Sequence, residues 1–302
     1  MRKITIFFDY EGKWGMPKKH PYNLSTTTDA ILAVLKKHNV KAVFNSCGII
    51  SKEHPEIMKK ISNGGHEISA HGFEHENFYQ MDNNKFAQIL KKIESHSLNT
   101  IGKKPLGFRF PYLLNPQFYS ESKYKVLSDF GYKWTSNRQI RFIPELMRVQ
   151  NQTDAVTKYL YKMNAGKFLF LYLNKSVFFD DYLSKNWGIP KIANWLIQDK
   201  NPFEREGILE IPVLSTLDCF LFGLPVPNES SSDAELKTAF EILKDEFDLS
   251  QNYFNLNFHD WIVGTSNRID VMDKIIGYIK KKKDIKFVTS EDIMVKTGPH
   301  AL

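Results

Sequence analysis

Cysteine is nearly absent from this chain of 302 residues. Only Cys47 and Cys219 occur, with no CxxC pair, which excludes a disulfide framework and a thiolate zinc site. Both thiols are expected to be inert, in the core or near the surface. Missing too is any apolar run near the ~20 residues that a membrane span needs; the longest candidate is FLFLYL at 168–173, so a soluble chain without a membrane span is expected. The first apolar run begins at Ile4, which leaves no room for a charged region, a hydrophobic segment and a cleavage site. Secretion by that route is not expected, and the expected location is cytoplasmic. Internal repeats and low-complexity linkers are absent as well, the polar loop NESSSD at 228–233 being the nearest approach. The net charge of +7 comes without a basic stripe interleaved with stacking aromatics. Its densest run, at 280–283, follows an apolar helix-like stretch whose C-terminus suits cations. No nucleic-acid partner is expected.

The hydrophobic share of 42% and charged share of 25% are ordinary for a globular protein, and the length suffices for a substantial core. A single domain over 1–302 is expected. ITIFFD at 4–9 reads as a buried strand delivering a carboxylate. Residues 26–39 read as a helix, 42–47 as a strand, and HPEIMKKISNGG as a helix starting near Pro55 and closed by Gly64 or Gly65. The alternation continues with a strand into His71, a helix through Phe86, Ile89, Leu90 and Ile93, a strand at 105–110, a helix at 124–130 and a strand at 132–136. Strand-like runs return at 168–173, 208–213, 254–259 and 286–289, the last followed by SED, a good helix start. Between them, at about 139–205, lies a less regular segment expected to cover the site or a subunit interface. Strands alternating with helices argue for an α/β barrel or an open parallel sheet. The barrel is preferred, because Asp9, His71, Arg109 and His259 all fall at C-terminal strand ends, which a closed barrel gathers on one face.

The stretch GHEISAHGFEH at 65–75 is central. His71 and His75 stand four apart, a spacing that lets two imidazoles meet one divalent ion. His66 would lie within the strand and is read as bonded to neighbouring backbone, outside any metal shell.

FFDYEG, GHEISAHGFEH, GFRFPY and LNFHDW, joined by AVFNSCG, GYKWTS and FVTSED, occur in the order of the motifs of the polysaccharide deacetylases. The chain resembles these NodB-homology carbohydrate esterases of family 4 over nearly its whole length, apart from the less regular segment. The resemblance implies a distorted (β/α) barrel of about seven strands and metal-dependent removal of an acyl group from an amide nitrogen on a sugar. It implies Asp9 as general base toward a water that a cation has acidified, and His71 and His75 as ligands. Arg109 would hold the Asp9 carboxylate, and His259 would protonate the leaving amine. The backbone N–H of Tyr112, on a turn fixed by Pro111, would meet the developing oxyanion.

The first motif departs from the commonest family pattern of two adjacent aspartates, since Tyr10 stands second. Residues two apart on a strand share a face, so Glu11 is expected as the third ligand. The expected cofactor is a divalent metal ion, with zinc the first choice, although two histidines and a carboxylate suit several ions. No plain match exists for the family's aspartate that orients the acid; Glu210, in ILEIPV, is the expected substitute, a structural ion pair being its alternative. Phe178, Phe179, Tyr182, Trp187 and Trp195 could stack on a sugar, fill core or bury a homo-oligomer contact. The expected partner is an N-acetylated sugar or glycan precursor. Two alternatives stand beside it: hydrolysis of a non-sugar cyclic amide, as in allantoinases, for which DYEG is the hint, and a non-catalytic glycan-binding relic.

Overall fold

The structure is a computed structural model that describes residues 1–16, 20–78, 81–112, 120–137, 201–223 and 225–294. The strand expected at 168–173, most of the less regular segment and its five aromatic residues lie outside the described residues.

Among the described residues nine strands form one curled sheet. They are β1 (Arg2–Tyr10), β2 (Val43–Ser46), β3 (Glu67–Ala70), β4 (Gly107–Phe108), β5 (Trp134–Thr135), β6 (Phe203–Arg205), β7 (Ile208–Glu210), β8 (Tyr253–His259) and β9 (Ile285–Phe287). Their order is β6-β7-β5-β4-β3-β2-β1-β8, with β9 beside the start of β1. From β7 to β8 every neighbour is parallel, and only β6 runs antiparallel, at the edge. The connections carry helices, among them Leu24–Lys37, Pro55–Asn63, Asn83–Ile101, Glu121–Asp129, Asp233–Leu249 and Ile269–Lys280. This is the distorted (β/α) barrel, with seven strands in its parallel run and the helix and strand positions close to those that hydrophobic periodicity indicates.

The two-residue period of β1 sorts its side chains. Ile4, Ile6, Phe8 and Tyr10 face outward into the large core shared with the helices, and the Tyr10 hydroxyl meets that of Thr28 at 2.5 Å. Phe7 faces inward, into a smaller cluster with Val43, Trp134, Leu209, Ile211 and Tyr253 that plugs the barrel interior. Asp9 and Glu11 share the inward parity of Phe7. Above the apolar plug the interior is polar, and side chains close it. Leu214 N–H donates to Asn255 Oδ1 (2.9 Å), Asn255 Nδ2 to the Pro212 carbonyl (2.5 Å) and Asn257 N–H to Ser215 Oγ (3.1 Å). The segment after β7 is thereby tied to β8, where among the described residues no strand pairing joins the two edges of the parallel run.

Among the described residues no helix is long and apolar enough to cross a membrane. The remaining punctuation follows local chemistry. Ser232 and Glu235 form a capping box on Asp233–Leu249 within the polar loop region, and Ile269–Lys280 ends where the lysine run begins. His66 Nδ1 accepts the Ala42 N–H at 3.2 Å, and burial beside Lys41 lowers its pKa to about 4, as suits a structural histidine.

Candidate active site

Parallel register brings the first group together without any loop. Asp9 is aligned with His259 on β8 and with Asn45 on β2, and Asn45 with Ser69 on β3. Asp9 Oδ1 accepts from Arg109 Nη1 at 2.8 Å and from Asn45 Nδ2 at 3.0 Å. Ser69 Oγ donates to Asn45 Oδ1 at 2.5 Å, which orients the amide so that its NH2 faces Asp9. Arg109 is fully buried, its Nη2 donating to Ser136 Oγ (2.8 Å) and Asn257 Oδ1 (3.0 Å) while the guanidinium lies 4.5 Å over the Phe7 ring. Burial alone would raise the Asp9 carboxyl. Arg109, His71 and His259 outweigh it, and the pKa falls below the ordinary carboxylate value. With Oδ1 doubly engaged, Oδ2 is the oxygen left for a proton.

Glu11 leaves the end of β1 one inward position later, and its carboxylate is a meeting point. Oε1 lies 3.1 Å from His71 Nε2, 2.9 Å from His75 Nε2 and 3.9 Å from His259 Nε2, while Oε2 accepts from Trp261 Nε1 at 2.9 Å. Its main chain is held as well, Asp260 Oδ1 accepting the Glu11 N–H at 2.7 Å. A Cβ on Gly15 would overlap the Glu11 carboxylate, so only glycine fits the loop there. His71 follows β3 directly, whereas His75 sits in the left-handed region at φ +62, at the end of a turn opened by Gly72 at φ +76. The turn is locked by Gly48 N–H on the Gly72 carbonyl (2.9 Å) and Phe73 N–H on Glu76 Oε2 (2.8 Å). The histidine pair is thus presented by a turn, with ring centroids 5.2 Å apart.

These three donors suit a divalent cation. His71 Nδ1 lies 2.8 Å from the Arg109 carbonyl, which fixes the proton on that nitrogen and directs the Nε2 lone pair at Glu11 Oε1. His75 Nδ1 is buried without a partner, and its Nε2 converges on the same oxygen. Two imidazole nitrogens converging on one carboxylate oxygen inside a buried pocket make a cradle for positive charge; without a cation a proton on His75 meets it, and against the effect of burial Glu11 raises the pKa of that ring. Glu11, His71 and His75 also form a group whose ligand atoms lie within 4.8 Å of one another, as do Asp9, Glu11 and His259.

His259 is oriented by Asp218. Its Nδ1 lies 2.6 Å from Asp218 Oδ1, and its N–H donates to Asp218 Oδ2 at 2.7 Å. Burial opposes charging of this imidazole, but Asp218 and Glu11 prevail and raise its pKa well above the ordinary histidine value. The expectation for Glu210 is therefore corrected. On β7 Leu209 takes the inward parity, so Glu210 faces outward to the helix Glu121–Asp129, where it accepts from Tyr124 Oη (2.5 Å) and the Asn137 N–H (2.7 Å). It is a buried structural acceptor, with the barrel wall between it and His259. Tyr112 lies at the mouth, 53% exposed, with φ +62 and its ring centroid 4.6 Å from that of His75.

Residues 2–135 match the family described as polysaccharide deacetylase. The chain is a relative of the polysaccharide deacetylases. It is 24% identical over 272 residues to the peptidoglycan deacetylase of Helicobacter pylori, covering 87% of this chain and 80% of that one. It is 35% identical over 85 residues to a peptidoglycan-N-acetylglucosamine deacetylase of Bacillus cereus, covering 28% of this chain but 31% of the relative's length. Among solved structures, one from Mycobacterium smegmatis described as a polysaccharide deacetylase superposes with TM-score 0.65 at 17% identity, covering 97% of this chain and 88% of that one. The Puue allantoinase superposes with TM-score 0.61 at 13% identity over 99% and 92%. At these identities the structural likenesses establish the shared barrel.

In this deacetylase relative the residues that sequence reasoning passed over are Asp218, Asn45, Asp260 and Trp261. Asp218 stands eight positions beyond Glu210, past a proline-broken strand end, so no periodicity points to it. Asn45 had a signal, as a polar residue in the apolar run AVFNS at the register position of Asp9.

Proposed function

We propose that the chain is a metal-dependent hydrolase that removes an N-acyl group, acetyl first among them, from a sugar or glycan precursor. The observation that carries this reading is that two differently partnered groups, Asp9 with Arg109 and His259 with Asp218, both border the Glu11–His71–His75 cradle. Base and acid are thus each stabilised by a different partner in the charge state its task needs.

Glu11 Oε1, His71 Nε2 and His75 Nε2 would hold the ion, zinc being the first to try. A divalent ion there would supply Lewis acidity to the attacking water and to the acyl carbonyl. Asp9 Oδ2 takes the proton of the attacking water, while Arg109 and Asn45 hold Oδ1 and keep the carboxylate ionised. The Tyr112 N–H donates to the oxygen that gains charge. His259 Nε2 gives its proton to the amide nitrogen as the C–N bond breaks, with Asp218 holding the opposite ring nitrogen. Water and an amide become a carboxylic acid and an amine. The homologous peptidoglycan deacetylases make N-acetylglucosamine-containing glycans the first substrates to assay, and the allantoinase-like barrel puts a cyclic ureide in the same panel.

Amine release from that panel, with wild type and Asp9→Asn side by side, tests the reading. Release from N-acetylated sugars that disappears in the variant supports it. Turnover of the ureide alone would replace the sugar substrate, and turnover of nothing by a zinc-loaded, folded protein would count for the relic.

A further inference from the structure

His259, Asp260 and Trp261 stand consecutively where β8 passes into the short helix Asp260–Val263, and all three turn toward Glu11. His259 Nε2 approaches Oε1, Asp260 takes the main-chain N–H, and Trp261 Nε1 donates to Oε2 at 2.9 Å. The indole is 2% exposed and packed against Met16 and Ile262, so its N–H has a fixed direction. An indole nitrogen donates and never accepts. It therefore sorts the two carboxylate oxygens, engaging Oε2 with a neutral donor and leaving Oε1 as the one oxygen that faces His71 and His75.

We infer that Trp261 is a positioning residue that fits the glutamate at position 11 to serve as a one-oxygen cation ligand. The inference rests on the reading that Glu11, His71 and His75 hold a divalent ion. A glutamate has one more rotatable bond than an aspartate, and without a second anchor its carboxylate would spread over several rotamers. Trp261 supplies that anchor, and Gly15 supplies the space, since any side chain there would drive Oε2 off the indole. Outer partners of this kind commonly govern metal affinity by about 10–100-fold. An aspartate at position 11, one methylene shorter, would not reach the indole.

The test is a double-mutant cycle read as metal affinity, with activity not needed. Zinc affinity is measured on the metal-stripped full chain by competition with a chromogenic chelator, and cobalt spectra report ligand geometry. The four proteins are wild type, Trp261→Phe, Glu11→Asp and the double variant. Expected is a loss of about 10–100-fold from Trp261→Phe when Glu11 is present, with an altered cobalt spectrum, and little further loss when Glu11→Asp has already given up the contact. Equal losses in both backgrounds would mean that Trp261 acts by packing alone, and the inference would fall. Should Trp261→Phe not fold, Gly15→Ala crowds the same oxygen from a half-buried loop, and unchanged affinity there would overturn the inference equally. A wild type whose affinity is no better than that of His71→Ala would show instead that the cation reading beneath it is wrong.

Discussion

Asp9 and His259 occupy the same register position on two neighbouring parallel strands, and ligand atoms of both lie within 4.8 Å of the Glu11 carboxylate. Neighbours in a parallel sheet sit about 4.8 Å apart, so the proposed acid and base are placed by backbone pairing, the most rigid device the fold offers. Each then takes its protonation state from a different charged partner, Arg109 for one and Asp218 for the other.

Asp9→Asn should abolish amide hydrolysis, by about 10²–10⁴-fold, while keeping the fold and much of the zinc affinity, since it retains the shape and replaces the basic oxygen by an amide NH2. His259→Ala should be as damaging on amides but milder on activated esters, whose leaving groups need no proton. Parallel kcat measurements on an N-acetyl sugar and an aryl acetate check this. An equal loss on both substrates would make His259 a structural group.

Asp218 and Glu210 separate cleanly. Asp218→Asn should cost about 10²–10⁴-fold in kcat on amides with a small change in Tm, because it leaves the ring of His259 without its charged partner. Glu210→Gln should leave kcat near wild type and destabilise the fold by about 1–3 kcal/mol, the cost of impairing a buried acceptor of two hydrogen bonds. Calorimetry beside steady-state kinetics distinguishes the two outcomes.

Zinc added to the metal-stripped chain should stabilise it by about 2.7 kcal/mol at a hundredfold excess over Kd. His71→Ala and His75→Ala should each remove most of that shift. Thermal melts with and without zinc are sufficient, and a shift retained in both variants would place the ion elsewhere.

Glu67 gives a pH dependence remote from the site. Its carboxylate accepts from Trp134 Nε1 (2.9 Å) and from the Ser290 N–H (2.8 Å), and burial pushes its pKa up to about 7. A folded-state pKa above the unfolded one means that the contribution is fully present below about pH 4.5 and lost as pH rises through about 7. Between pH 5 and pH 8 wild type should therefore lose stability relative to Glu67→Gln, by up to about 3 kcal/mol. Urea melts at both pH values measure the slope, which is independent of any constant penalty from the amide.

By itself the sequence determined the strand and helix alternation, the gathering of Asp9, His71, Arg109 and His259 at strand ends, and the four-residue spacing that puts His75 beside His71. Apolar runs of strand length, proline and glycine stops and histidine spacing are local signals, and each is written within a dozen residues. The parity of β1 was legible too. Asp9 and Glu11 lie two apart with Tyr10 between, and a pleated strand can only send the pair inward together if the tyrosine goes outward.

Tertiary structure alone decided the partners. Glu210 stands in ILEIPV with apolar residues on both sides, so nothing in the sequence says which face of β7 is the lumen; the curl of the sheet puts Leu209 inside and turns Glu210 away. Asp218 reaches His259 across 41 positions, and Trp261 reaches Glu11 across 250. Such contacts obey no periodicity, because they exist only once the barrel has closed and brought the strand ends over one pocket.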